Sequence, residues 1–523
     1  MVREFKSVKR FKAVRKQISL FTAEVKNKHS GIILLLLFLI TLIVRLTLSF
    51  SLDNLTYDSY YHLRQVEHIA QTGLPLYDDP LSYGGRESIF LPLFYYISAF
   101  FNLFIDLEIL AKILPNLFIS LLVPIVYFLT RKITPVETAC LFSAGISGFL
   151  PIIFKTNSFT PESLVLPLLF LTIYFFLDIK NNINNKKSVY LYLILLALTA
   201  FTSSSLILLI LGFGFYTLLF FVERKTISGA QSELIIISIF FYFWSQLIFF
   251  KNILLREGPH FIWQNIPPQI IYNYFPNFSI TQALLFLSII PFLAGIYIIY
   301  NLLFKYKDDR YMLLISLGIS TIFFSVLRLI QFDLALAFLG IILAILFSQF
   351  YVMILEYLKK TKLQLLIKLW PLLLIIFLTA TTVYPAVAYA LEQQRPTNEE
   401  IAAFRWLGQH TTPSSLAAAA FEEGHLITFY GQKKNFIDGQ FSQVSDASER
   451  FSNLQSLYTT IFQTEALEII NRYNINYLVF TPHAKEKFSV TNLKYLTSQC
   501  FKLVYNIDDI YIYEIKCTLG QRT

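Results

Sequence analysis

Apolar runs of about twenty residues, separated by short polar loops, recur along most of this chain, and few folds accommodate that pattern. In hydrocarbon every backbone polar group needs an internal partner, so runs such as Gly31 to Leu48 or Trp370 to Ala388 read as membrane-crossing helices. Of 523 residues, 55% are hydrophobic and 15% charged, a balance foreign to a soluble chain of this length. Reading by length gives the spans 31–51, 114–130, 137–153, 162–178, 188–202, 205–222, 232–250, 281–303, 311–327, 331–355 and 367–390. The expectation is a polytopic α-helical membrane protein of about 11 to 13 spans with a carboxy-terminal mixed α/β domain.

The net charge of +9 comes from Lys and Arg concentrated in an amino-terminal leader, residues 1–30, and in short loops. No aromatic-interleaved basic patch forms, so nucleic acid is not an expected partner; the lipid bilayer is. Basic loops (Arg131 and Lys132; Lys180, Lys186 and Lys187; Arg224 and Lys225; Lys305, Lys307 and Arg310; Lys359, Lys360, Lys362 and Lys368) alternate with basic-poor ones. By the positive-inside rule the amino terminus is cytoplasmic and the tail from Leu391 extracytoplasmic. The expected organisation is a leader 1–30, a membrane domain 31–390 with outer loops 52–113 and 251–280, and an outer domain 391–523. Phe90 to Ile105 would invert every later loop if it crossed, so it reads as an interfacial helix.

In the tail, Thr397 and Glu400 have capping-box spacing at the start of an amphipathic helix. "SLAAAAF" and "NYLVFTP" read as buried strands, and the alternation on both sides of Asp508 and Asp509 as a hairpin. That register sets Cys500 opposite Cys517, either as a disulfide or as two free thiols.

Chemistry is expected where the outer loops meet. Asp58 follows the first span by about seven residues, where a carboxylate near the membrane carries a desolvation cost; a solvated acid or helix cap is the competing reading. Glu162 follows Thr160 and Pro161, which also make an ordinary helix start. Glu257 lies beside Arg256 and His260 among aromatics, and carboxylates on converging loops suit a hard divalent cation. Arg328 interrupts an apolar stretch, where a guanidinium faces an anion or snorkels to head groups. Asn54 and Asn277 begin Asn-x-Ser/Thr triplets, and Gly84 to Arg86 reads as a turn. No nucleotide-binding or nucleophile-elbow motif occurs.

Three stretches together resemble the catalytic subunit of oligosaccharyltransferases, of the archaeal and bacterial single-subunit type within the GT-C membrane glycosyltransferase class: "DSYYHLRQVEHIAQTG", the segment from Leu114 to Pro167, and "FEEGHLITFYGQKKNFIDG". The resemblance implies that Asp58 is the catalytic and metal-binding acid, that Glu162 and Glu257 are further metal ligands, and that Arg328 meets the lipid-linked phosphate. It implies that Glu422, Glu423 and Gly424 bind the acceptor, with Mn2+ or Mg2+ as cofactor, a polyprenyl-linked sugar donor, and a protein or lipid acceptor. Where the family has DxD this chain has Thr160-Pro161-Glu162, and where it has WWDYG this chain has Ala420-Phe421-Glu422-Glu423-Gly424.

Metal-dependent, inverting transfer of a glycan to asparagine is therefore the leading expectation. Transfer of one sugar to a protein or lipid hydroxyl is the alternative among enzymes. A transporter or scaffold is the alternative of another class.

Overall fold

The computed structural model describes residues 29–181, 186–276, 279–360, 364–497 and 499–518. Residues 1–28 of the basic leader, Lys362, the triplet at Asn277, and the side chains of Lys180 and His260 lie outside the described residues.

All eleven expected spans fall on helix. Among the described residues nine helices are long and apolar enough to cross a membrane, from Ser30–Ser51 to Ile367–Leu391. The helix Lys186–Thr202, 17 residues long, accounts for the segment 188–202. The segment 281–303 is not one straight span: Ile280–Phe286 and Ile289–Lys305 meet at 108°. The break falls at Ser288, whose φ of 63° ends helical geometry and whose hydroxyl pairs with Thr382 Oγ1 at 2.6 Å.

Small residues bring the helices together, as lipid-embedded packing requires. A methyl group on Gly212 would fall 2.4 Å from Leu317, and one on Gly295 would fall 2.5 Å from Leu343. Lys132 with Asp178, and Lys225 with Asp309, form ion pairs at one end of the bundle.

At the other end, the segment after the first span builds the helix Tyr57–Thr72, stopped by Gly73 in the left-handed conformation (φ 77°). The short pair β1 (Asp78–Asp79) and β2 (Arg86–Glu87) follows, with Gly84 and Gly85 turning the chain between them. Arg64 clasps the buried Asp79 through two bonds of 2.8 and 2.7 Å, tying this pair to the helix. The segment from Phe90 yields the helix Leu93–Asn102, which buries Phe94, Tyr95, Ser98 and Ala99 and exposes Tyr96 and Phe100.

The tail holds β3 (Leu416–Ala418), β4 (Lys434–Asn435), β5 (Tyr477–Phe480), β6 (Phe501–Ile507) and β7 (Ile510–Ile515), in the sheet order β4-β3-β5-β7-β6. β3 runs parallel to β4 and β5, and β7 antiparallel to β5 and β6. Asp508 and Asp509 both take positive φ, as a two-residue hairpin turn demands. Cys500 and Cys517 are joined as a disulfide beside that hairpin. Thr397 and Glu400 form the full capping box, and Tyr57 donates to the same Glu400 at 3.0 Å. Tail, outer loop and membrane helices thus share one core, in which Leu63 and Phe94 pack with Leu164, Phe404 and Val479.

Candidate active site

Asp58 stands in the first turn of Tyr57–Thr72, where the unpaired N–H groups of a helix start favour a carboxylate. The next residue, Ser59, fixes a distant loop: its hydroxyl accepts the backbone N–H of Phe159 at 3.2 Å. That bond draws Thr160, Pro161 and Glu162, the start of a membrane helix, beside Asp58. Both acids line a cavity of about 630 Å³, together with His62, Lys155, Asp333 and Glu422. Lys155 and Asp333 pair at 3.0 Å on its wall.

Asp58 is open to the cavity yet surrounded by protein. That confinement pushes its carboxyl up from the ordinary value; His425 opposes the shift, and Glu422 and Asp438 add to it. His62 lies one helical turn on, so it shares a face with Asp58. Its Nδ1 pairs with the Tyr95 hydroxyl at 2.8 Å, and burial pushes its pKa down to about 3, so the ring is neutral. His62 was not singled out in the sequence as a site residue, although its spacing four residues after Asp58 on a helix is a signal that could have found it.

Two more cavities adjoin the first. One, of about 310 Å³, is walled by Asp58, His62, Arg86 and Gln443. The other, of about 600 Å³, is largely apolar and runs between membrane helices past Tyr242, Leu247, Phe324 and Leu334. Glu162 and Gln331 line all three, so the acid sits where the polar chambers meet the apolar slot.

The tail supplies the remaining wall. A methyl on Gly439 would lie 3.3 Å from His425 Nε2 and 3.5 Å from Asp58 Oδ1, so glycine leaves the space between these groups open. His425 is buried, and among the described residues its Nε2 has no hydrogen-bond partner. Asp438, one residue before Gly439, accepts from Ser82 Oγ at 2.6 Å and from Asn435 Nδ2 at 2.9 Å. Burial works against its carboxylate, but Arg86, His425 and these bonds outweigh it and hold its pKa low.

Glu422, expected to meet the acceptor, does line the main cavity. It is already engaged by Lys487 and by His483 at 3.4 Å, which overcome burial and hold its pKa below the ordinary value. Glu423 and Gly424 do not line the cavities. Glu423 is fully buried and accepts from Ala420 N at 3.0 Å and Thr481 Oγ1 at 2.5 Å. Gly424 packs so tightly that a methyl there would fall 2.1 Å from the Ile437 carbonyl.

Glu257 is not brought to Asp58 either: it accepts from Arg256 at 2.8 Å, and Arg256 also reaches Glu87 at 2.7 Å. Arg328 is exposed, with φ 56°, immediately before Leu329 to Gln331 on the apolar slot. Among the described residues no three His, Cys, Asp or Glu side chains converge closely enough to hold a metal ion.

No protein-family model matches the chain. Dolichyl-phosphooligosaccharide-protein glycotransferase 2 of Archaeoglobus fulgidus is 37% identical over 101 residues, a match spanning 18% of this chain and 17% of that protein. Over 87% of this chain and 70% of the other, the structure follows the A. fulgidus oligosaccharyltransferase in its apo form, with a TM-score of 0.68 at 15% identity. The chain has the GT-C fold in its oligosaccharyltransferase-like form.

Other GT-C structures agree. The A. fulgidus oligosaccharyltransferase AglB in complex with an inhibitory peptide and a dolichol-phosphate gives a TM-score of 0.64 at 15% identity, covering 84% of this chain and 69% of that one. The A. fulgidus enzyme also has a structure in complex with Zn and sulfate. ArnT from Cupriavidus metallidurans, bound to undecaprenyl phosphate, gives 0.52 at 12% identity, covering 92% and 97%. With nine helices among the described residues long and apolar enough to cross a membrane, the chain is a multi-pass membrane protein.

Proposed function

We propose that this chain is a membrane glycosyltransferase that moves a glycan from a polyprenyl phosphate or diphosphate carrier to a protein asparagine. The reading is carried by the meeting, at Glu162 and Gln331, of an acid-lined chamber and an apolar slot between membrane helices. A lipid-linked sugar needs both: hydrocarbon contact for the carrier and a polar chamber for the reacting carbon. AglB bound to dolichol-phosphate and ArnT bound to undecaprenyl phosphate support this choice of donor.

In this reading the acceptor attacks the sugar carbon from the face opposite the phosphate, the carbon–oxygen bond to phosphate breaks, and the configuration inverts. Asp58, made more basic by its confined setting, orients the acceptor and takes its proton. Arg328 offers a fixed positive charge to the donor phosphate. Asp58 and Glu162, with the neutral His62, offer oxygen and nitrogen donors suited to Mn2+ or Mg2+, although they do not close on one point. Such an ion would stabilise negative charge on the departing phosphate. Glu257, committed to Arg256, is left out of that set. With the amino terminus cytoplasmic, the site faces outward.

One observation favours a second reading. Glu422 is occupied by Lys487 and His483 and Glu423 is sealed, so this segment offers an acceptor side chain little free carboxylate. That suits transfer of a single sugar to a hydroxyl, and ArnT bound to undecaprenyl phosphate, a monophosphate carrier, matches over 97% of its own length. A donor competition separates the two. Diphosphate-linked oligosaccharide with an Asn-x-Thr peptide is the preferred pair in the first reading; monophosphate-linked monosaccharide with a hydroxyl acceptor replaces it in the second.

A further inference from the structure

Arg45 lies within the first span and is only 1% exposed. Its guanidinium stacks 4.0 Å from the centre of the Phe154 ring and donates from Nη2 to the Ile153 carbonyl at 3.3 Å. Among the described residues Nε and Nη1 have no hydrogen-bond partner, and no carboxylate pairs with Arg45. A buried guanidinium with open donors is costly unless something neutralises it.

Arg45 borders a small cavity of about 30 Å³, which backs onto the main one and shares Thr56, Ser158 and Gln393 with its wall. A second guanidinium, Arg395 of the tail, lines the same cavity. It donates to Asn54 O at 2.8 Å and Gln393 Oε1 at 2.9 Å, but its buried Nε also has no partner among the described residues. The other polar side chains of the wall are Ser49, Thr56, Ser59, Asn116, Asn157, Ser158 and Gln393; among the described residues no acid lines it. Thr56 and Ser59 place the start of the 16-residue helix Tyr57–Thr72 against the cavity, adding the positive end of its dipole.

We infer that this cavity is an anion site that takes one small inorganic anion of halide size. Two arginines with three unpartnered nitrogens between them line a space too small for a large organic anion, and no acid on its wall supplies a counter-charge. The bound anion ties the first span, the loop at Asn157 and the tail at Arg395 together behind the helix that carries Asp58. It therefore acts as a structural clasp, and the assignment does not depend on what the active site transfers.

The test uses the full chain purified in detergent with sodium gluconate, whose anion is too large for the cavity, exchanged for chloride or bromide at constant ionic strength. Chloride and bromide should each raise Tm saturably, by about 2 to 4 °C. Arg45→Gln should abolish that shift, and Arg395→Gln should weaken it. Ser49→Asp, which supplies a built-in anion, should melt equally in chloride and gluconate, and it keeps the test decisive where Arg45→Gln does not fold. In crystals grown with bromide, an anomalous peak should fall within hydrogen-bond reach of Arg45 Nε and Nη1. Equal melting of the wild type in gluconate and chloride would mean that water alone fills the cavity. A chloride shift retained in both Arg45→Gln and Ser49→Asp would place the anion elsewhere; either result overturns the proposal.

Discussion

The backbone N–H of Phe159 donates to the Ser59 hydroxyl at 3.2 Å, and through this bond the first turn after one membrane helix grips the loop that starts another. Asp58 and Glu162 flank it in sequence, each within three residues of an end of the bond. Ser59→Ala leaves the buried N–H of Phe159 without a partner, a cost of about 1–3 kcal/mol. The variant should fold with a lowered Tm and lose transfer activity more than donor binding. Thermal melting beside kcat and KM checks this; an unchanged kcat would detach the bond from the site.

Gly439 leaves the space between Asp58 and His425 open. Gly439→Leu should fill it and lower transfer about 100-fold, the scale of a misplaced reacting group, while the Tm stays near wild type. Gly439→Ala should fall between, because its methyl meets Asp58 at ordinary contact and presses only on His425. A fully active leucine variant would remove this space from the acceptor's path.

Glu423 sets a pH dependence. Burial and the neighbouring Glu400 push its pKa from 4.5 to about 8. A folded-state pKa above the unfolded one means that the fold binds the proton more tightly, so the contribution is complete below about pH 4.5 and is lost as pH rises through 8. Glu423→Gln stays neutral throughout. Its Tm relative to wild type should therefore climb across that window and then level off; differential scanning calorimetry from pH 4.5 to 9 reads it. A constant difference would show that Glu423 is ionised in the fold.

Much of the architecture was legible in the sequence because it rests on local patterns. Apolar length marked the spans, the Thr397 and Glu400 spacing marked a helix start, and Asp508 with Asp509 marked a hairpin whose ends carry the disulfide. The bend at Ser288 was hidden, because the apolar run continues through it while the break depends on backbone geometry and the Thr382 contact. Site membership was legible only in part. Asp58, Glu162 and Glu422 do share a cavity, but adjacency in sequence could not reveal that Lys487 and His483 occupy Glu422, that Thr481 seals Glu423, or that Glu87 shares the Arg256 that holds Glu257. Those partners come from distant segments or from ion pairs among loop charges, and spacing is silent on them. Arg45 read as part of an apolar run; its burial without a counter-charge appears only once the tail packs behind it.

The central claim is that Asp58 serves glycan transfer at the junction of the acid-lined chamber and the apolar slot. The direct test is sugar transfer by the purified protein from polyprenyl-linked donors to an Asn-x-Thr peptide, with Mn2+ or Mg2+, beside Asp58→Ala. Metal-dependent modification of the asparagine, lost in Asp58→Ala while donor binding persists, is the predicted result. Equal transfer by wild type and Asp58→Ala, or no transfer to asparagine or to any hydroxyl acceptor by the wild type, would contradict it.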